Sequence, residues 1–328
     1  MSKLYEQFEV FINQAKNVEG KSDDTIKNYR QNFDLLKDYK LKTFSVDLFI
    51  EDLTAEFIIN FFTYLNNRKR KVGNKYVVRK LMPSSIATIR AKLSTFFEWL
   101  IKNSYLVKNP FEDIKHPKVT FTDRRAFTNE EYNKIYLAVS RDIVWGSVLL
   151  KIRSITMVMF LSLTGVRREE LIGLRLDDLD MNNKILTVRA EISKSKITHF
   201  VPLDETLIIQ LKEYFEARRT RTTPYLWVSS TEDRNFTEHG AKHFIERLEK
   251  VTGLKIFLHR FRHTFAVNHY VANKDLLSLQ RMMGHKDVKV TINTYLRWLP
   301  DFNLQNQVNL LRISLNKGNE KYTQNRGT

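Results

Sequence analysis

Apolar positions recur every three or four residues through most of the first 115 residues, the period of helices that bury one face. Over 21–39 the series Ile26, Tyr29, Phe33, Leu36 and Tyr39 predicts a helix. Thr54 offers an N-cap hydroxyl for a second helix over 55–65. Ser84 or Ser85 opens a third, running to Leu100. It places Ile86, Ile89, Leu93, Phe96, Phe97 and Leu100 on the core face and Arg90 and Lys92 on the opposite one. Asn109-Pro110 and His116-Pro117 stop the pattern, because proline disfavours helical backbone at the residue before it. Residues 118–125 read as a linker, and Thr128-Asn129-Glu130-Glu131 has the form of a capping box that opens a new unit.

Beyond that box the pattern is mixed. A strongly apolar stretch over 153–163 and a helical one over 168–174 precede two strand-like runs, 184–190 and 198–203, joined through 191–197. Helical patterns follow over 206–219, 238–251, 259–272, 275–283 and 303–315. The expectation is a mainly α protein with one small antiparallel β-sheet: a helical domain over 1–117, a linker over 118–125 and an α+β domain over 126–328. The sequence has no internal repeat, glycine-rich phosphate loop or low-complexity tract.

Composition removes several classes. Apolar residues make up 42% of 328, enough for packed cores, and cysteine is absent, which excludes disulfides and cysteine-ligated zinc. No apolar run approaches the ~20 residues of a membrane helix, and the opening residues lack the apolar core of a secretory signal. A cytoplasmic protein without membrane attachment is expected. The net charge is +17. It is shared, with 21 Lys+Arg against 14 Asp+Glu up to residue 120 and 33 against 23 after it. A positive field on both parts points to a polyanion, nucleic acid before membrane, although a basic protein with no such partner has the same composition. The stretch 68–80 is the densest, with Arg68, Lys69, Arg70, Lys71, Lys75, Arg79 and Lys80 and no acid. It reads either as a solvated loop or as a contact with the DNA backbone. The second reading gains from a β-like stretch at Tyr76–Val78 and from Arg90 and Lys92 on the following helix.

Three segments carry candidate chemistry: Thr164-Gly165-Val166-Arg167-Arg168-Glu169-Glu170-Leu171, His259-Arg260-Phe261-Arg262-His263-Thr264-Phe265-Ala266, and Gly284-His285 followed ten residues later by Tyr295. A phosphodiester under nucleophilic attack gains a second negative charge, which arginine forks can meet with paired hydrogen bonds. Arg167 and Arg262 suit that role. His259 and Arg262, three apart on a helix, share a face. Tyrosine, with a reference pKa of about 10, needs a base or cationic surroundings to act as a nucleophile. Singly, each residue has a plainer reading: Arg167 as an ion pair with Glu170, Gly284-His285 as a helix C-cap, Tyr295 as a core aromatic. His259 and His263 stand one helical turn apart, as metal ligands do, with His269 further along. The helix there carries Arg260 and Arg262 and no glutamate base, so no metal is expected.

Together the three segments resemble the tyrosine recombinases, the phage-integrase, Xer and Cre-like enzymes, marked by T-G-x-R-x-x-E-L, then H-x-x-R-H-S/T-F-A, then G-H and a tyrosine nine or ten positions on. The earlier part is similar more loosely, in Ser85-Ile86-Ala87-Thr88-Ile89, Phe96-Phe97-Glu98-Trp99-Leu100 and Asn109-Pro110. The resemblance implies a helical core-binding domain and a catalytic domain closing around duplex DNA. It implies metal- and cofactor-free strand exchange at a double-stranded recombination site, with Tyr295 as nucleophile in a 3′-phosphotyrosine intermediate, and with Arg167, His259, Arg262 and His285 around it. A hairpin lysine protonates the leaving 5′-oxygen; the family spacing favours Lys194, and the neighbouring Lys196 stays open. Two protomers per site, four in a synapse and a Holliday junction are further implications. The apolar positions of 303–315 make that stretch a candidate for docking on a neighbouring protomer or packing on its own domain. Departures are the ten-residue spacing to Tyr295, Met283 and Phe261 at leucine positions, and the long basic insert. A type IB topoisomerase and a non-catalytic DNA-binding regulator are the rival readings.

Overall fold

Leu4, Phe8, Phe11, Ile12 and Ala15 are spaced at three and four residues, and they bury one side of α1 (Leu4–Asn17). The structure, a computed structural model, describes residues 3–296 apart from 45, 73–74, 79, 119–125 and 230–231, and leaves the side chains of 70–76 and 296 undescribed. Residues 119–125 of the expected linker and the segment 303–315 therefore lie outside the described residues. The chain divides into two compact units, Met1–Thr122 and Asp123–Thr328.

In the first unit α1 packs with α2 (Asp23–Phe44), α3 (Ala55–Asn67) and α4 (Pro83–Lys102). Aromatic rings fill the centre: Phe8 stacks on Phe33 at 3.9 Å, and Phe96 meets Phe8 edge-on at 5.1 Å. Thr54 caps α3 as expected, accepting from the Phe57 amide at 3.1 Å. The third predicted helix starts earlier than either serine, at Pro83, where the missing N–H is lost at no cost because the first turn has no partner for it. The basic insert contains a two-stranded antiparallel hairpin, β1 (Lys69–Val72) and β2 (Lys75–Val78), with Lys69 opposite Val78.

Arg90 requires a correction. It was expected on the outer face of α4 as a DNA contact, but it is buried, donating to the carbonyls of Ile114 at 2.7 Å and Phe111 at 2.6 Å, with its guanidinium over the Phe111 ring. The carbonyls after Asn109-Pro110 have left the helix ladder and need donors, and Arg90 supplies them. Lys92 is half-buried with its ammonium over Tyr29.

The second unit is built around α6 (Val148–Thr164), apolar on most sides and flanked by α8 (Glu205–Ala217) and α10 (Leu258–Asn273). Around it stand α5 (Asn129–Leu137), α7 (Arg168–Gly173), α9 (Glu238–Thr252), α11 (Leu276–Met282) and α12 (Val288–Thr291). The capping box opens α5, the Glu131 amide donating to Thr128 Oγ1 at 3.2 Å and the Thr128 amide to Glu131 Oε2 at 3.0 Å. The sheet is antiparallel, in the order β3 (Leu179–Asp180), β4 (Ile185–Val188), β5 (His199–Pro202), with Leu186 opposite Val201 in the core. Both predicted strands are present but shorter, and β3 is an addition. Tyr214 ties α8 to the loop beyond it, donating to the Leu226 carbonyl at 3.0 Å.

Candidate active site

α6 ends at Gly165, whose φ of 61° allows its amide to reach the Leu161 carbonyl at 3.1 Å. A Cβ on this glycine would stand 2.4 Å from the Phe265 ring, so its absence lets the end of α6 meet α10. The chain re-enters helix at α7 with Arg167 as N-cap residue. Behind it Glu170 is fully buried; its carboxylate accepts from the Arg167 amide at 2.8 Å and from Arg167 Nη1 at 2.7 Å. Arg262 Nη1 lies 3.8 Å away, and Ser193 Oγ in the β4–β5 loop 3.5 Å away. One carboxylate thus holds two arginines and the loop that bears Lys194. A carboxylate taken this far out of water needs such charged and polar donors around it.

Arg262, on α10, is 1% exposed. Its Nε donates to the Tyr295 hydroxyl at 3.0 Å, Nη1 to the Gly165 carbonyl at 2.7 Å, and Nη2 to the Met283 carbonyl at 2.7 Å and to His285 Nε2 at 3.2 Å. A guanidinium can only donate, so His285 Nε2 accepts and the imidazole proton sits on Nδ1. That proton faces Thr291 Oγ1 at 2.8 Å. Burial, reinforced by repulsion from Arg262 and Arg167, pushes the His285 pKa down to about 3. The ring is therefore neutral near pH 7. Burial also lowers the Arg262 pKa from the ordinary arginine value.

His285 follows a turn in which its amide bonds to Gln280 and that of Gly284 to Arg281, the hydrogen-bond pair of a Schellman cap. Gly284 has φ 60°, and a Cβ on it would lie 2.6 Å from the His199 ring of β5. Tyr295 sits on a single π-helical turn, 292–296, directly after α12. Its ring lies parallel to His285 at 5.9 Å, against the buried His263 at 5.3 Å, and 6.1 Å from His259.

All six residues singled out for catalysis lie in the second unit, and Glu170 lies within reach of both arginines of the expected pair, although only Arg167 lines the cleft. Arg167, Lys194 and His259 line an open cleft of about 990 Å³ beside α9. Arg262 is turned to Tyr295 and two carbonyls, and Tyr295 is only 2% exposed. Lys196 Nζ faces the Glu191 carbonyl at 3.4 Å, whereas Lys194 faces the cleft. Of the proposed DNA contacts, Lys69 and Lys80 are exposed and Arg68 half-buried. The side chains of Arg70, Lys71, Lys75 and Arg79 are outside the described residues. Among the described residues no group of three His, Asp or Glu is arranged to hold a metal. Glu170, Ser193, His199 and Thr291 are the site residues that the sequence reading missed. Only Glu170 had a signal, its place in the first motif.

Solved recombinases share this fold. A Tn1549 transposon integrase in complex with transposon right end DNA matches with TM-score 0.73 at 16% identity, over 95% of this chain and 100% of that one. The XerH site-specific recombinase bound to a palindromic difH substrate matches with TM-score 0.62 at 19% identity, over 90% and 82%. The phage integrase family model covers residues 125–300 and the phage integrase SAM-like domain model residues 3–119. The chain belongs to the phage integrase family, and it is an enzyme of the tyrosine recombinase class, which carries out site-specific recombination of DNA. Curated relatives include tyrosine recombinase XerA of Pyrococcus furiosus, 26% identical over 296 residues and 88% of each chain. Tyrosine recombinase XerC of Staphylococcus epidermidis is 26% identical over 293 residues, 89% of this chain and 91% of the relative. Among the described residues no helix is long and apolar enough to cross a membrane.

Proposed function

We propose that this enzyme cuts and rejoins duplex DNA through a 3′-phosphotyrosine at Tyr295 and exchanges strands through a Holliday junction without metal or ATP. The observation that carries this reading is the 3.0 Å bond from Arg262 Nε to the Tyr295 hydroxyl, next to a cleft lined by Arg167, Lys194 and His259. The Tyr295 oxygen attacks phosphorus, its proton passing to His259, while the bond to the 5′-oxygen breaks and Lys194 supplies that oxygen with a proton. Arg167 and Arg262 hold the two non-bridging oxygens as charge builds on them, the task a metal would otherwise have. The phosphotyrosine ester keeps the energy of the broken phosphodiester, so a 5′-hydroxyl can reverse the step. His285 is neutral and accepts from Arg262, so it orients that guanidinium rather than moving a proton. A phenol closed off from solvent meets a phosphate only once the 288–296 segment shifts, so adduct formation includes a conformational step. The helical unit to residue 117 serves as the core-binding half, and two protomers occupy each site, four the synapse.

The test is a nicked suicide duplex resolved on a denaturing gel. Wild type gives a covalent adduct whose yield is unchanged in excess EDTA, and Tyr295→Phe binds the duplex but gives none. An adduct from the variant, or a wild-type adduct that disappears in EDTA and returns with a divalent ion, would falsify this chemistry.

A further inference from the structure

A second cavity, of about 660 Å³, opens beside the catalytic cleft, and His239 at the start of α9 lines both. Its wall carries Arg153, Arg234, Arg247 and Lys250 together with His239 and His243, against one acid, Glu246. That acid already faces His243 at 3.2 Å and Lys242 at 3.7 Å, and Arg234 faces Glu232 at 2.9 Å.

Arg153 is the unusual member. It comes from the buried side of α6 and is 7% exposed, yet among the described residues no carboxylate is seen to pair with it. Its Nη1 donates to the Val228 carbonyl at 2.6 Å and its guanidinium lies 4.8 Å from the Phe236 ring centre. The Nε is buried and has no hydrogen-bond partner among the described residues. A buried cation held by one carbonyl and one ring is under-compensated, and an entering anion would relieve that. Arg247 is set above the Trp145 ring at 5.0 Å and reaches the Val144 carbonyl at 3.3 Å, so its fork is already oriented at the rim.

We propose that this cavity holds a backbone phosphate of the bound DNA, distinct from the phosphate that is cleaved. A strand leaving the cleft past His239 would enter it. The inference rests on the reading that Tyr295 acts on DNA in that cleft. Arginine forks match phosphate oxygens, and a contact of this kind sets register without reading bases.

The test uses full-length Arg247→Ala/Lys250→Ala, both exposed and outside the catalytic set, and a charge-matched control, Lys134→Ala/Lys212→Ala. Binding to a random 40-base-pair duplex is titrated at several salt concentrations, after melting curves show that both variants are folded. One lost phosphate contact should make the slope of log K against log salt shallower by about 0.9 in the first variant alone. The same change in both variants, or in neither, overturns the proposal. So does tight binding of inorganic pyrophosphate at the cavity without any change in the DNA slope. The suicide-duplex adduct, measured at saturating DNA, should form in both variants. Its absence in wild type would sink the Tyr295 chemistry while the salt slopes still report on the cavity.

Discussion

Glu170 is fully buried and does not line the cleft, yet it organises the candidate site beside it. Its carboxylate fixes Arg167 through backbone and side chain, lies near Arg262, and meets Ser193 beside Lys194. The first motif contains Glu170, but spacing reports neighbours along the helix and not burial, so the sequence shows only its pairing with Arg167. His199 and Thr291 had no signal, because sheet packing brings the first to Gly284 and a turn brings the second to His285. The lysine doublet separates by direction, and this yields a chemical test. On a duplex with sulfur in place of the bridging 5′-oxygen, whose leaving group needs little protonation, Lys194→Ala should regain most of the cleavage rate it loses on ordinary DNA. Rescue of Lys196→Ala instead would reverse the assignment. His285 gives a pH test. Its pKa falls from an ordinary 6.5 to about 3 on folding, so below about 6.5 the unfolded chain takes up the proton first. The stabilisation is present above pH 6.5 and is lost as pH falls towards 3; burial shifts His199 the same way. The melting temperature of wild type should therefore drop more between pH 7 and 4 than that of His285→Gln, and parallel curves would remove His285 from the account.

At the scale of elements, the long helices were legible because each buries one face at a regular period, and the α5 cap because its hydrogen bonds are local. What the sequence concealed depends on partners. Lys69-Arg70-Lys71-Val72 has no strand pattern and is a strand only through pairing with 75–78. The π-turn carrying Tyr295 is too short for a period, whereas α1 has one, in Leu4, Phe8, Phe11, Ile12 and Ala15, that the sequence reading did not use. Gly284 ties such elements together, since its left-handed φ ends α11 and its missing side chain makes room for His199. Gly284→Ala should lower stability by roughly 1–3 kcal/mol from backbone strain. It should also reduce cleavage, because His285 and the Met283 carbonyl, both Arg262 partners, flank the strained residue. Denaturant titration alongside the suicide-duplex assay measures the pair, and unchanged values for both would show that β5 yields easily at this point.

For the whole molecule, the +17 charge acts on a polyanion as a summed field, with local arrays deciding how many phosphates are neutralised. The insert 68–80 holds seven cations and no acid, and its backbone forms a hairpin. A solvated hairpin would raise the field and leave contact number unchanged, whereas one lying along the duplex would displace condensed counterions at each phosphate. Replacing Arg68, Lys69, Arg70 and Lys71 together by alanine discriminates between these. If the hairpin lies on the backbone, affinity falls for specific and random duplexes alike, and the slope of log K against log salt becomes shallower by roughly two to four units, at about 0.9 per phosphate. Preference for the recombination site survives, because backbone contacts position a protein while base contacts specify its site. Titrations on both duplexes at several salt concentrations measure each quantity. An unchanged slope would leave the insert a solvated hairpin, and a loss confined to the specific duplex would make it a reader of bases.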